Sequence, residues 1–144
     1  MRGSSKEAGT NVRFTVDRID HIVINCRDVD ITAAWYQRVL GMEREEFGNE
    51  SRTALKFGGQ KINLRPHDHD IRTWHTGANT EPGSQDICFI TAVGPDDVVE
   101  HLQSCRVKIE AGPVQKEGAL GPMMSVYCRD PDGNLIEISS YLPS

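Results

Sequence analysis

The chain has 144 residues, 16 Lys and Arg against 21 Asp and Glu, and a formal net charge of −5. With 38% hydrophobic and 26% charged residues, it is too apolar for a disordered polypeptide and long enough to build one domain, or two small modules packed together. The acidic balance, without any run of Lys or Arg, excludes an electrostatic nucleic-acid or membrane-surface footprint. No apolar stretch approaches the roughly 18–20 residues that span a bilayer. The small polar residues at the start (Arg2, Gly3, Ser4, Ser5, Lys6, Gly9) lack the apolar core of a secretory signal, so residues 1–16 are expected to form a flexible tail ahead of a single domain over 17–142. Cys26, Cys88, Cys105 and Cys128 never fall at C-x-x-C spacing, which excludes a zinc knuckle or a redox dithiol. They read as reduced thiols, and the expected location is cytoplasmic.

Ile19 to Asn25 (IDHIVIN) is a β-branched run that predicts a strand. In the following DITAAWYQRVLGM, Ile31, Ala34, Trp35 and Val39 recur at helical spacing, Asp28 or Asp30 can cap the start, and Gly41 supplies the stop. Met42 to Phe47, Thr53 to Phe57 and Gln60 to Leu64 read as three short strands punctuated by Gly48-Asn49 and Gly58-Gly59. Residues 66–83 lose all periodicity and read as a connector. The first pattern then returns. Gln85 to Thr91 predicts a strand, and Pro95 to Ser104 a helix with Val98, Val99 and Leu102 inward. Strands are expected at Lys108–Ala111, Met123–Cys128 and Asn134–Ser140, the last two joined by the Asp130-Pro131-Asp132-Gly133-Asn134 turn.

The organisation is therefore α+β, a βαβββ unit occurring twice, with modules at about 17–65 and 84–142. A unit that cannot bury its own sheet face must pack on its repeat or on another chain. The ends of the modules correspond: Gly59-Gln60-Lys61-Ile62-Asn63-Leu64 aligns with Gly133-Asn134-Leu135-Ile136-Glu137-Ile138, and Asp20-His21-Ile22 with Gln85-Asp86-Ile87.

A first strand reading Asp20-His21-Ile22-Val23, a helix ending W-Y-x-x-V-L-G-M, and a late R-D-P-D-G-N-L-I-E-I resemble the vicinal oxygen chelate superfamily, which includes glyoxalase I, extradiol dioxygenases, fosfomycin-resistance transferases and bleomycin-resistance proteins. Pro82-Gly83-Ser84-Gln85-Asp86-Ile87-Cys88 adds to the likeness, which covers most of the chain and looks closest to the type 5 glyoxalase domain-containing proteins and their bacterial relatives. The resemblance implies sheets curled around a cleft holding a divalent metal, with ligands from the first and last strands of each module. Carried over residue by residue, these are His21, Asn63, Asp86 and Glu137. His21 and Glu137 match the usual pattern. Asp86 stands where many members have a second histidine, and Asn63 where glyoxalase I has a glutamate.

The residues lend their own support. Alternation puts His21 on the opposite face from Ile22 and Ile24, and Glu137 is embedded among Leu135, Ile136 and Ile138, where a carboxylate needs a cation or several hydrogen bonds to stay charged. The alternatives are an ordinary hydrogen bond for His21 and an edge strand that exposes Glu137 to solvent. Tyr127 either orients a substrate in the cleft or packs. Trp35 and Tyr36 are expected in the core or an interface. His67-Asp68-His69-Asp70, with His75 nearby, mimics a metal site but is expected to be a solvated segment or a lid over the cleft, with Trp74 as anchor or lid contact.

A set of His21, Asp86 and Glu137 would suit Zn²⁺, Ni²⁺, Mn²⁺ or Mg²⁺, and it disfavours extradiol cleavage, which prefers two histidines and a carboxylate around ferrous iron. The expected function is a metal-dependent, glyoxalase-like lyase or isomerase acting on a small oxygen-rich metabolite or thiol adduct, with Glu137 as the base and a homodimer as the working form. It should be a poor classical glyoxalase I, because the amide of Asn63 cannot act as a base. The competing class is a metal-free protein that sequesters a small molecule; a dioxygenase is a further alternative.

Overall fold

A computed structural model describes residues 11–143. It contains two four-stranded sheets and two helices, one helix per sheet, in two tandem βαβββ modules. Module 1 comprises β1 (His21–Cys26), α1 (Val29–Leu40), β2 (Glu43–Phe47), β3 (Arg52–Phe57) and β4 (Gln60–Pro66). Module 2 comprises β5 (Asp86–Ile90), α2 (Pro95–Ser104), β6 (Ala111–Gly118), β7 (Gly121–Arg129) and β8 (Leu135–Tyr141). The strand orders are β1-β4-β3-β2 and β5-β8-β7-β6, with β1 parallel to β4 and β5 parallel to β8. Each module's first strand therefore keeps one open edge, on β1 and on β5. Met1 to Thr10, most of the expected tail, lie outside the described residues.

Helix α1 begins where the side chain of Asp28 accepts a hydrogen bond from the Ile31 N–H, and ends at Gly41, whose φ of 67° suits a residue without a Cβ. Its buried stripe is Thr32, Ala33, Tyr36 and Val39. The expected stripe of Ile31, Ala34, Trp35 and Val39 is rotated: Ile31 is 59% exposed and Trp35 only partly buried. The cause is polar and comes from the other module. The fully buried Tyr36 donates its hydroxyl to Asp130 Oδ2 at 2.7 Å, and Thr32 Oγ1 reaches Asp132 Oδ2 at 3.3 Å. The β7–β8 turn is thus a clamp as well as a hairpin. Asp130 also accepts the backbone N–H groups of Asp132 and Asn134 and the Asn134 side-chain amide. Gly83 closes the connector against this turn, because its φ is +85° and a Cβ there would collide with the Asp132 carbonyl oxygen.

Helix α2 buries Val98 and Leu102, with Val99 packed at the margin. The inner faces of the two sheets meet these helices in one continuous core, which joins Ile24, Leu55, Ile62 and Leu64 to Val126, Ile136 and Ile138. The expected strand at 108–111 is displaced: β6 starts at Ala111 and runs to Gly118. Nearly every residue of β6 is exposed, so this edge strand has no apolar alternation by which to be recognised, and Pro113 is tolerated there because an edge strand need not donate every N–H.

Candidate functional site

Strand pleating decides what the outer faces carry. In sheet 1, His21 lies opposite Lys61 and Val23 opposite Asn63, so His21, Lys61, Asn63 and Arg65 share the face turned away from the core. His21 Nδ1 is 2.9 Å from Asp20 Oδ1, and this bond holds the carboxyl of Asp20 below its ordinary range. The pairing orients the imidazole and leaves Nε2 directed elsewhere, as an oriented metal-binding histidine requires. Asn63 is 7% exposed, and its Oδ1 is buried without a hydrogen-bond partner. Lys61 Nζ lies 3.7 Å from the centroid of the Phe47 ring.

In sheet 2, Cys88 lies opposite Glu137 on β8, and Tyr127 on β7 faces Glu137 from the other side. Strand β8 is interior to its sheet, so Glu137 does not sit on a solvent edge. Asp86 precedes Cys88 by two residues and shares its face. Burial and a hydrogen bond to Glu137 push the Tyr127 hydroxyl up to about 12, so it stays protonated beyond the ordinary phenol range. Ser139 links the floor of this face, 3.3 Å from Cys88 Sγ, 2.6 Å from Ser125 Oγ and 3.4 Å from Glu137 Oε2. Burial raises the Cys88 thiol, and Glu137 and Asp86 add to the shift. The structure therefore gathers Asp86, Tyr127 and Glu137 on one sheet, and His21 with Asn63 on the other. Among the described residues of one chain, no group of three or more His, Cys, Asp and Glu is arranged to hold a metal ion.

Two features of the site escape a reading of the sequence. Cys88 lies within an apolar run, Ile87 to Ile90, yet it is exposed opposite Glu137; its two-residue spacing from Asp86 is the available signal. Arg65 is fully buried, and its guanidinium donates to Asn25 Oδ1 at 2.8 Å and to the His69 carbonyl at 2.7 Å. The alternation Lys61, Asn63, Arg65 placed it on the outer face, but its burial comes from the connector folding over it. Trp74 anchors that connector: it is 7% exposed, with the Arg52 guanidinium 3.9 Å from its ring centroid and the His69 ring edge-on. Asp70 is engaged by Arg72 at 2.8 Å and His69 by Thr73 at 3.1 Å. This stretch is pinned to sheet 1 through Trp74 and the carbonyls of His69 and Thr73, so of the two expected roles Trp74 takes that of anchor. All four cysteines are free. No helix among the described residues is long and apolar enough to cross a membrane.

Paired βαβββ modules with polar donors on their outer faces define a recognised class, and residues 18–138 match the family model described as the Glyoxalase/Bleomycin resistance protein/Dioxygenase superfamily. The chain belongs to that superfamily. It is 43% identical to "Virulence protein STM3117" of Salmonella typhimurium over 92% of this chain and 90% of that protein, and the crystal structure of that protein superposes with a TM-score of 0.84. It is 44% identical to "Glyoxalase domain-containing protein RDO1" of Mycosarcoma maydis, over 90% of this chain and 71% of that protein. An integron cassette protein from the mobile metagenome of V. cholerae is 40% identical, with a TM-score of 0.86 over 91% of this chain and 100% of that one.

Proposed function

We propose that the protein is a metal-dependent, glyoxalase-like enzyme acting on a small oxygen-rich metabolite or thiol adduct. In this reading its site is assembled from two copies of the chain: His21 and Asn63 of one copy face Asp86 and Glu137 of the other. The observation that carries it is the division of donors between two outer faces that both point away from a shared core, on sheets whose first strands keep open edges. The donor chemistry fits a divalent cation. One oriented imidazole, two carboxylates and a buried amide oxygen without a partner suit Zn²⁺, Ni²⁺, Mn²⁺ or Mg²⁺.

A divalent ion held there would supply Lewis acidity to two neighbouring oxygens of the substrate. Glu137 is the group that moves a proton between adjacent carbons, and Tyr127, held protonated, donates a hydrogen bond to a substrate oxygen. Asn63 can orient but cannot take a proton. With one base instead of two, the chain should turn over the glutathione hemithioacetal of methylglyoxal slowly.

The test is elemental analysis of the full chain purified without chelators, alongside His21→Ala and Glu137→Gln. Wild type is expected to retain a divalent ion and each variant to lose it. Unfolding and refolding the two variants together should restore metal to the mixed dimers, because each mixed dimer regains one intact site. Metal retained by both variants would overturn the assignment, and failure of the mixture to recover metal would overturn the shared site. A metal-free wild type that still binds small ligands would favour sequestration instead.

A further inference from the structure

Residues 11–20 precede β1 without regular secondary structure or a strand partner and are exposed along their whole length. Their sequence is that of a half-buried strand. Val12, Phe14 and Val16 alternate with Arg13, Thr15 and Asp17, yet these three apolar side chains are 67%, 76% and 78% exposed. Alternation of this kind marks a segment with one face against a protein surface, and a contiguous exposed apolar stripe marks an interaction site. Only the root of the segment is tied to its own chain: the Gln60 amide donates to the Ile19 carbonyl at 2.8 Å, and Arg18 reaches the Gly59 carbonyl at 3.4 Å. Residues 11–17, the arm ahead of Arg18, are all exposed. Extended residues advance about 3.3 Å each, so the stretch from Val12 to Arg18 can reach roughly 20 Å.

The same chain carries a groove without an occupant. Its cavity, of about 380 Å³, lies between the end of α1, the start of α2 and strand β5, and is walled by Met42, Phe57, Phe89 and Ile138. At its rim Ile90 and Val93 are 54% and 46% exposed, and Asp97 stands beside them. The arm does not enter the groove of its own chain, because none of its residues lines that cavity. One surface lacks an apolar cover, the other lacks an apolar floor, and Arg13 on the arm complements Asp97 at the rim. We propose that residues 12–17 form an exchange arm that docks into this groove on a second copy of the chain, with Phe14 in the cavity and Val12 and Val16 against Ile90 and Val93. Two arms in two grooves make a closed, symmetric association.

Light-scattering mass and sedimentation equilibrium on the full chain test this, comparing wild type with the triple variant Val12→Ser, Phe14→Ser, Val16→Ser. Because the variant alters only side chains that are largely exposed in the single chain, its circular dichroism should match wild type. Each apolar side chain withdrawn from water contributes about tenfold or more to association, so the variant's dimer dissociation constant should rise at least 100-fold. A photo-crosslinking benzoylphenylalanine at position 14, in a mixture of isotopically heavy and light protein, should attach to the 90–97 stretch of the other copy. A monomeric wild type, an unchanged dissociation constant, a crosslink within the same copy, or a crosslink outside the groove would each overturn the proposal. Mass and crosslinks do not depend on metal, so an unchanged dissociation constant or a misplaced crosslink overturns the arm while the shared metal site stands, whereas a monomeric wild type overturns both.

Discussion

The two modules share topology and differ in what their equivalent positions do. The β3–β4 turn of module 1 is Gly58-Gly59, open to solvent, where an added Cβ would meet nothing. The corresponding turn of module 2 runs from Asp130 to Asn134, with both of those residues buried, and grips α1 through Tyr36 and Thr32. The outer faces diverge as well. Sheet 1 presents an imidazole, an amide and cationic side chains, whereas sheet 2 presents two carboxylates, a tyrosine and a thiol. A repeat can therefore preserve backbone hydrogen bonding while one copy specialises in holding the molecule together and the two faces acquire complementary charge.

The largest effect should come from the acidic face. Glu137→Gln removes the proposed base and a proposed ligand together, and a loss of at least about 10²–10⁴-fold in turnover of any substrate is expected, measured against wild type with excess divalent metal added to both. Next is the buried turn. Asp130→Ala strips partners from Tyr36, Asn134 and the turn backbone, and should cost about 3 kcal/mol or more in urea denaturation. Tyr36→Phe removes a single hydrogen bond to a buried carboxylate, worth about 1.5–3 kcal/mol. At the equivalent turn of module 1, Gly59→Ala should cost only about 1 kcal/mol, from its φ of 76° alone. If Gly59→Ala and Asp130→Ala were equally damaging, the specialisation of the second turn would be refuted.

On the opposite face, Asp20→Asn should loosen the orientation of His21 and weaken metal affinity by about 10–100-fold, read by competition with a chromogenic chelator. Asn63→Glu would make the faces more alike, and should raise hemithioacetal turnover by supplying a second base. The smallest effect is acid sensitivity. Arg44 and Thr53 hold the carboxyl of Glu46 below its ordinary range, Arg129 does the same for Glu110, and Arg72 for Asp70. Depressed folded-state values mean that this contribution is complete above the ordinary carboxylate range and fades as pH falls through the lowered ones. The thermal midpoint should therefore decline slightly below about pH 4, less so in high salt, since exposed pairs are screened.

Local patterning determined the element order, both helices, seven of the eight strands and the pairing of modules, because period-2 and period-3.6 apolar spacing and the glycine and proline punctuation are properties of short segments. Strand alternation likewise placed His21 on the face opposite Ile22 and Ile24, whereas Asn63, Asp86 and Glu137 were singled out by the family resemblance. What it could not supply depended on distant residues. The rotation of the α1 stripe needs Asp130 and Asp132 to arrive from the other module. The burial of Arg65 needs the connector to fold back through Trp74. The start of β6 at Ala111 is invisible because an edge strand exposed on both faces has no apolar signature. Above all, which donors can face one another is set by how the inner faces meet. Once a single core takes in the inner faces of both sheets, the residues that align in the repeat are left on the outer faces of two different sheets, and only the tertiary arrangement decides that.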